Sequence, residues 1–298
     1  MILSIKHLRG GDFITPNVSY IKETEGIKLK PYTPPVLAGD VAYWDGSSVK
    51  TTPLSSWDSS LGTPVGVVVV PSGFAPDGKP RIVSLFYTDR SGNTITSVNK
   101  MKWSNVQVDT ELTNYTKVPT TDNAGSTSTG SNSQGFLPSD NFSGTTSFVD
   151  PKAKYNGYTP MIPSPYLGDV PNPEYYKELA GGNMLSDFNG LSNTETLVGL
   201  GSDYVAANAA YKYNDGASNL QWYLPAMGEL GYLIPRFNEI NSVITALGGI
   251  AVNGDIYNFW SSSEYGSGFA CYLQSRNSVN GFDKSNYGGH CVRPFSIL

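Results

Sequence analysis

The spacing of hydrophobic positions changes several times along the chain, and each change marks a segment of different character. Ile2, Leu3 and Ile5 open a short strand-like run, and Pro31, Pro34 and Pro35 close the opening segment as an extended linker. Residues 1–35 therefore read as an N-terminal arm, available for contact with another subunit in a homo-oligomer. From Gly39 the pattern is β: Asp40 to Trp44, a turn at Asp45-Gly46, then Pro64 to Val70 and Arg81 to Tyr87, rich in Val, Ile and aromatic residues. The unbroken run Val67 to Val70 predicts a strand buried on both faces.

Helical spacing takes over further along. Asn172-Pro173 has the form of an N-cap followed by proline at the first helical position, with Gly181 as the stop. Ser192 and Glu195 have capping-box spacing ahead of Leu197, and after the break at Gly199 to Gly201 an apolar stripe continues through Val205, Ala206, Ala209, Ala210 and Tyr213. Pro225 opens a third helix with Met227, Leu230 and Ile234 on one face; Pro235 is expected to kink it before Phe237, Ile240, Ile244 and Leu247, and Gly248-Gly249 end it. Beyond that the pattern is β to Leu298. Strands, then helices, then strands predict a single α+β domain over residues 36–298. Two stretches interrupt it. Residues 120–147 are dominated by Thr, Ser, Gly and Asn, with too few apolar anchors to offset the entropy of ordering, and predict a mobile surface insertion. Thr159 to Pro173 reads as irregular backbone fixed by Tyr158, Met161, Ile162 and Tyr166.

Composition narrows the function classes. The net charge of −5 comes without a basic stripe, which a nucleic-acid surface needs to neutralise phosphates. No apolar stretch is long enough to span a bilayer, and Met1 to Gly10 lacks the apolar core of a secretory signal, so the expectation is a soluble chain not exported by that route. The only cysteines, Cys271 and Cys291, are too few for a disulfide framework or a Cys-rich zinc site. Whether they pair depends on their Cα separation, which sequence leaves open.

Three motifs narrow the reading further: Trp222-Tyr223-Leu224-Pro225-Ala226-Met227-Gly228-Glu229-Leu230, Phe259-Trp260-Ser261-Ser262-Ser263-Glu264-Tyr265, and Val292-Arg293-Pro294-Phe295. With Ala38-Gly39-Asp40, Trp44-Asp45-Gly46, Pro64-Val65-Gly66-Val67-Val68, Asp187-Phe188-Asn189-Gly190 and Asn193-Thr194-Glu195-Thr196, the chain resembles C-type-lectin-fold proteins of gut Bacteroides and their phages. These include the variable proteins of diversity-generating retroelements, related to the Fibrobacter succinogenes major-paralogous-like family. The resemblance covers residues 36 to 298 and leaves the arm uncovered. It implies a C-type-lectin-like fold of short antiparallel strands, two or three helices and long irregular loops, and a recognition surface varied by adenine-directed mutagenesis. Codons that begin as AAC or AAT and vary at their adenines can yield Asn, Ser, Tyr, Phe, Cys, His, Asp, Gly, Arg and a few others but not Trp, Gln, Lys, Glu or Met. By that rule Tyr265, Phe269, Cys271, Arg276, Asn277, Phe282, Asp283, Tyr287, His290 and Cys291 could vary, whereas Trp260, Glu264, Gln274 and Lys284 belong to the scaffold.

The chemistry of this C-terminal region, near 260–295, fits such a role. Side chains from Gly268 to Gln274 and from Ser278 to Asp283 should alternate between a packed face and a free one. Tyr and Phe offer rigid contact area, Asn and Ser adapt their hydrogen bonds, and Arg anchors carboxylates or rings. Tyr265, Phe269, Cys271, Arg276, Asn277, Phe282, Asp283, Tyr287 and His290 are the candidate ligand-binding residues. Composition alone reads equally well as an ordinary turn-rich β ending; the resemblance favours binding. Trp222, Trp260 and Arg293 read as structural.

Metal and enzymatic readings fare less well. His290 and Cys291 are adjacent on a strand and point to opposite faces, and a fourth ligand is not evident. Formylglycine-generating enzymes share a related fold and use a cysteine pair, but theirs is close in sequence, so a cysteine-dependent oxidase is the runner-up from another class. Asp187 with Glu195, or Glu229 with Glu239, could suggest paired catalytic carboxylates, though acidic residues on helices are usually solvated or capping. Calcium-binding Glu-Pro-Asn, Gln-Pro-Asp and Trp-Asn-Asp signatures do not occur. The expectation is a non-enzymatic protein without a cofactor that binds a bacterial surface protein or glycan receptor. As a phage receptor-binding (tail-tip) protein it would be a virion component; as a bacterial adhesin of the same fold it would sit at the cell surface.

Overall fold

A computed structural model describes residues 36–110, 112, 187–233, 236–252, 258–265, 267–274, 278–286 and 290–298, together with the backbone of 20–23 and 26–29. The expected strand near Ile2, the insertion at 120–147, the irregular stretch 159–173, the helix after Asn172 and the kink at Pro235 lie outside the described residues. The chain divides into two compact units, Met1–Pro35 and Val36–Leu298. In the first, β1 (Tyr20–Glu23) and β2 (Gly26–Leu29) pair antiparallel.

The second unit is α+β, built on two larger sheets and a small two-stranded one. Strands β3 (Val41–Trp44), β4 (Val49–Thr52), β5 (Thr63–Val70), β6 (Arg81–Ser84), β10 (Trp222–Tyr223) and β15 (Phe295–Ile297) form an antiparallel sheet in the order β10-β15-β6-β5-β3-β4. Five strands form the other: β9 (Lys100–Met101), β11 (Asn258–Tyr265), β12 (Phe269–Gln274), β13 (Ser278–Asp283) and β14 (His290–Cys291), in the order β13-β12-β11-β14-β9. Only β11 and β14 run parallel in it. Strands β7 (Tyr87–Thr88) and β8 (Thr94–Ile95) pair separately.

Strand alternation sorts the apolar side chains into layers. Val67, Val69 and Val83 from the first sheet meet Phe259, Cys271, Leu273 and Cys291 from the second in the central core. The opposite face of β5 packs Val65 and Val68 against Trp222 and Tyr213. That two-sided burial is what the unbroken valine run predicted. Helices α1 (Gly190–Leu200) and α2 (Val205–Tyr211) cover the outer face of the five-stranded sheet through Leu197, Ala206, Ala209 and Ala210, against Trp260, Ala270 and Tyr272. Helices α3 (Met227–Gly231) and α4 (Phe237–Ala246) supply Met227, Leu230, Ile240 and Ile244 to the central core.

Two helix boundaries differ from the sequence reading. Helix α1 begins at Gly190 with Asn189 as its cap position, so Ser192 lies inside the first turn and the expected Ser192/Glu195 capping box does not form. The reason is packing: a Cβ on Gly190 would lie 2.2 Å from Oε2 of Glu229 and 2.5 Å from Cε2 of Tyr223, so the missing side chain lets the helix start against that pair. The single helix expected after Pro225 is two helices, because α3 stops at Gly231 and α4 starts at Phe237. Between them the buried Arg236 donates through Nη1 to the Val69 carbonyl at 2.9 Å and ties the junction to β5.

The quoted motifs converge on polar joints inside this frame. Glu229 is fully buried; its Oε1 accepts from Arg81 Nε at 2.9 Å and from the Tyr223 hydroxyl at 3.0 Å, and its Oε2 accepts from the Ala226 N–H at 2.9 Å. Burial raises its pKa to about 7, against the opposing pull of Arg81 and the Ala226 N–H. Arg81 also grips Asp77 through both terminal nitrogens at 3.0 Å. The Ser261-Ser262-Ser263 run is wholly buried: Ser261 donates to the Cys271 carbonyl at 2.8 Å, and Ser263 donates to Asp187 at 2.7 Å while accepting the Met227 N–H. Asn193 donates to both Asp187 and Ser262. Within these joints Glu229, Arg81, Asp187, Asn193 and the three serines each bond a partner, as a low-dielectric interior requires.

Candidate functional site

The β11–β12 turn and the end of β13 bring the C-terminal candidates together. Tyr265 opposes Phe269 across the β11–β12 ladder, and Phe269 opposes Asp283 across the β12–β13 ladder. Three candidates therefore occupy one rung across three strands. Phe269 is 39% exposed, large for an aromatic side chain, and Asp283 is half-buried beside it. Asp283 Oδ1 accepts from the Ser285 N–H and hydroxyl at 2.8 Å and from Gln107 Nε2 at 2.9 Å. Burial pushes its pKa up, but these bonds outweigh it and hold the carboxyl below its ordinary value.

The remaining candidates fall differently. Cys271 and His290 are buried at 0% and 2% exposure, which corrects their assignment to a ligand-contacting face. The cause is that β12 is covered on both sides: Cys271 and Leu273 face the central core while Ala270 and Tyr272 face the α1–α2 layer, so the expected free face is closed. Phe282 is half-buried against the same outer layer. Arg276, Asn277 and Tyr287 lie outside the described residues, as does the side chain of Tyr265.

His290 occupies an aromatic box. Its ring stacks on Trp260, centroids 4.2 Å apart, and on Phe282, 4.6 Å apart, with Tyr272 edge-on at 4.1 Å. Neither ring nitrogen has a hydrogen-bond partner among the described residues. Burial, with the Lys100 charge adding to it, lowers its pKa to about 3, so the imidazole is neutral across the ordinary pH range.

The two thiols are equally enclosed. Cys271 on β12 and Cys291 on β14 lie on opposite sides of β11, two strand spacings apart and offset along the strands, so more than about 9.5 Å. That exceeds the reach of a disulfide, about 7 Å between Cα atoms, and both are free. Burial raises the Cys291 pKa to about 12, and burial with the charges of Asp187 and Glu264 raises Cys271 further. Among the described residues no group of three or more His, Cys, Asp or Glu side chains could hold a metal ion. Of the carboxylates considered for catalysis, Glu229 caps α3 from its N3 position by accepting the Ala226 N–H, and it and Asp187 are buried in the joints described above, while Glu195 and Glu239 are exposed.

One contributor was missed by sequence reasoning. Residues 103–110 run beside the Phe269 rung and are fastened there by a buried ion pair: Lys284 Nζ bonds Glu264 Oε1 and donates to the Val108 carbonyl at 2.7 Å. Glu264 Oε2 accepts from the Thr110 N–H at 2.9 Å and its hydroxyl at 2.6 Å. The Lys284 ammonium lies 5.0 Å over the Trp103 ring, and Trp103 Nε1 donates to the Ser261 carbonyl at 2.8 Å. Burial lowers the Lys284 pKa, and Glu264 partly offsets this. Val108 itself is 53% exposed. The only advance signal was the pair of scaffold assignments at Glu264 and Lys284, which named a charged pair without naming what it holds.

No family model matches the chain, and no curated protein matches it. A solved structure described as a fimbrial protein from Bacteroides ovatus is similar at 14% identity, with a TM-score of 0.45, over 88% of this chain. The chain spans 49% of the length of that one. No helix among the described residues is long and apolar enough to cross a membrane.

Proposed function

We propose that this is a binding protein of the C-type-lectin-like class, with a diversified recognition surface at the end of its five-stranded sheet, acting as a phage receptor-binding protein or a bacterial adhesin of the same fold. The observation that carries the reading is the rung Tyr265–Phe269–Asp283, where three residue types open to adenine mutagenesis meet at one end of the sheet and Phe269 is exposed. Trp260, Glu264 and Lys284, which that mutagenesis cannot produce, are buried and bonded immediately behind it. Varied positions on a surface leave the core alone, whereas varied core positions cost stability. Cys271 and His290 belong with the scaffold on this reading. An oxidase built on Cys271 and Cys291 is disfavoured, since a nucleophilic thiol needs a lowered pKa and access to substrate. The receptor would be a surface protein or glycan of a bacterium.

The test is a variant carrying serine at Tyr265, Phe269, Arg276, Asn277 and Tyr287, assayed for binding to whole bacterial cells and for thermal unfolding. Binding should be lost with little change in Tm, while Trp222→Ala and Trp260→Ala should each cost about 3–5 kcal/mol of stability. A five-site variant that unfolds while the tryptophan variants stay folded would invert surface and core. An adenine-rich near-repeat of the C-terminal coding sequence beside a reverse-transcriptase gene would establish the diversification.

A further inference from the structure

The segment 103–110 carries more than support. At one end Asn105 is joined to Asp203, through N–H to carbonyl at 2.8 Å and Nδ2 to carboxylate at 3.4 Å. At the other end Gln107 reaches Asp283 and Ser285, and the Lys284 N–H bonds the Gly268 carbonyl at 3.0 Å. The segment therefore bridges the end of α1 to the Phe269 rung. Three of the four exposed large hydrophobic side chains among the described residues lie on this bridge or at its ends: Leu200 at 56%, Val108 at 53% and Phe269 at 39%. Along 103–110 and the stretches bonded to it, 200–204, 264–269 and 282–286, the described residues carry four carboxylates, Asp109, Asp203, Glu264 and Asp283, against one ammonium, Lys284. That ammonium is buried, paired with Glu264 and also felt by Asp109, and the charged side chains that the strip presents are carboxylates: Asp109 and Asp203, exposed, and Asp283, half-buried.

Apolar side chains spaced along a fixed backbone and interleaved with carboxylates complement one kind of partner. We propose that this strip, Leu200–Asp203, Val108–Asp109 and Phe269–Asp283, docks an extended protein segment bearing lysine or arginine between apolar residues. The assignment rests on the binding reading above and deepens it. It gives the surface a constant half, on 103–110 and α1, that lies outside the region open to variation, and it favours a protein receptor over a neutral glycan. The hydrophobic contacts would supply affinity, and the carboxylates would set orientation and on-rate.

The probe is a short synthetic peptide alternating lysine, leucine and glycine, with a counterpart carrying glutamate for lysine, titrated against the full chain by calorimetry. The lysine peptide should bind and the glutamate peptide should not. Affinity should fall at least tenfold in the paired variant Val108→Ser/Phe269→Ser and severalfold in Asp109→Asn/Asp203→Asn, with the second loss vanishing at high salt. These side chains are exposed, so thermal unfolding should barely move. Equal binding of both peptides, no binding of either, or binding that survives the Val108/Phe269 pair overturns the proposal. If whole-cell binding is abolished by the five-site variant yet untouched by Val108→Ser and Asp109→Asn/Asp203→Asn, the strip falls while the recognition surface stands.

Discussion

His290 should make the fold lose stability in acid, and replacing it with Phe should remove that loss. Its ring is packed against Trp260, Phe282 and Tyr272 with no hydrogen bond to either nitrogen among the described residues, so a proton added there would be buried without a partner. The folded pKa of about 3 lies below the ordinary 6.5, so the unfolded chain takes up the proton first as pH falls. The contribution is complete above pH 6.5 and is lost progressively down to the folded value. Linkage sets the loss between pH 7 and pH 5 at about 2 kcal/mol. Glu229 acts in the opposite sense: its folded pKa of about 7 lies above 4.5, so the fold gains from protonating it over the same interval, again by about 2 kcal/mol. The native chain should therefore show a nearly flat stability between pH 7 and 5. The two effects separate in a difference measurement. Urea unfolding of the native chain and His290→Phe, followed by tryptophan fluorescence at pH 7, 6 and 5, should show the variant gaining about 2 kcal/mol relative to the native chain as pH falls. Phe keeps the stack, and both Glu229 and His7 are common to the two proteins. A stability difference that stays constant across the series would refute the argument, since it would mean that His290 titrates alike in the folded and unfolded states.

Three further outcomes follow from the buried joints. Gly190→Ala should destabilise the domain by about 3 kcal/mol or prevent folding, because its Cβ would overlap Glu229 and Tyr223, and denaturant unfolding measures it; a change under about 1 kcal/mol would show that α1 can shift without cost. Cys271 and Cys291 should both resist a thiol reagent in native buffer and react on unfolding, as buried thiols of raised pKa must, and rapid native labelling of either would contradict the placement of β12 and β14. Lys284→Met should cost about 3–5 kcal/mol by removing the ammonium that balances the buried Glu264 charge, and Glu264→Gln in the same background should recover part of that loss.

Local periodicity carried the strands and helices well, because a run such as Val67 to Val70 or a stripe such as Ala206, Ala209 and Ala210 reflects the burial it meets. It failed where a distant element decided the outcome. The start of α1 is set by room beside Glu229 and Tyr223, which no capping pattern near Ser192 can report. The candidate site was half legible for the same reason. Phe269 and Asp283 were named from residue type, and the strand register places them opposite each other. Cys271 and His290 were placed wrongly because alternation assumes one free sheet face, whereas α1 and α2 cover the outer face of the five-stranded sheet. The contribution of 103–110 was invisible, since its bonds to Glu264 and Lys284 join residues more than 150 positions apart.

On the proposed reading, that long-range clamp would let a variable end and a stable domain coexist in one sheet. β11, β12 and β13 are joined to the rest of the unit behind the rung by groups that face inward: the Trp260 indole donates to the Met101 carbonyl at 2.8 Å, the Trp103 indole to Ser261, and Lys284 to Val108. Each of these bonds ends on a main-chain carbonyl. A carbonyl is present whatever side chain the residue carries, so changes at the exposed positions leave this set of acceptors intact. The buried side-chain pair, Glu264 with Lys284, joins two residues that adenine mutagenesis cannot produce, whereas the bond from Gln107 to Asp283 is exposed. The cost of substitution is thereby concentrated behind the rung, where a lost partner strands a buried polar group, and is small at Phe269, whose ring already faces water. Substitution at Phe269 would change what the surface presents while the groups that hold the three strands in register stay the same.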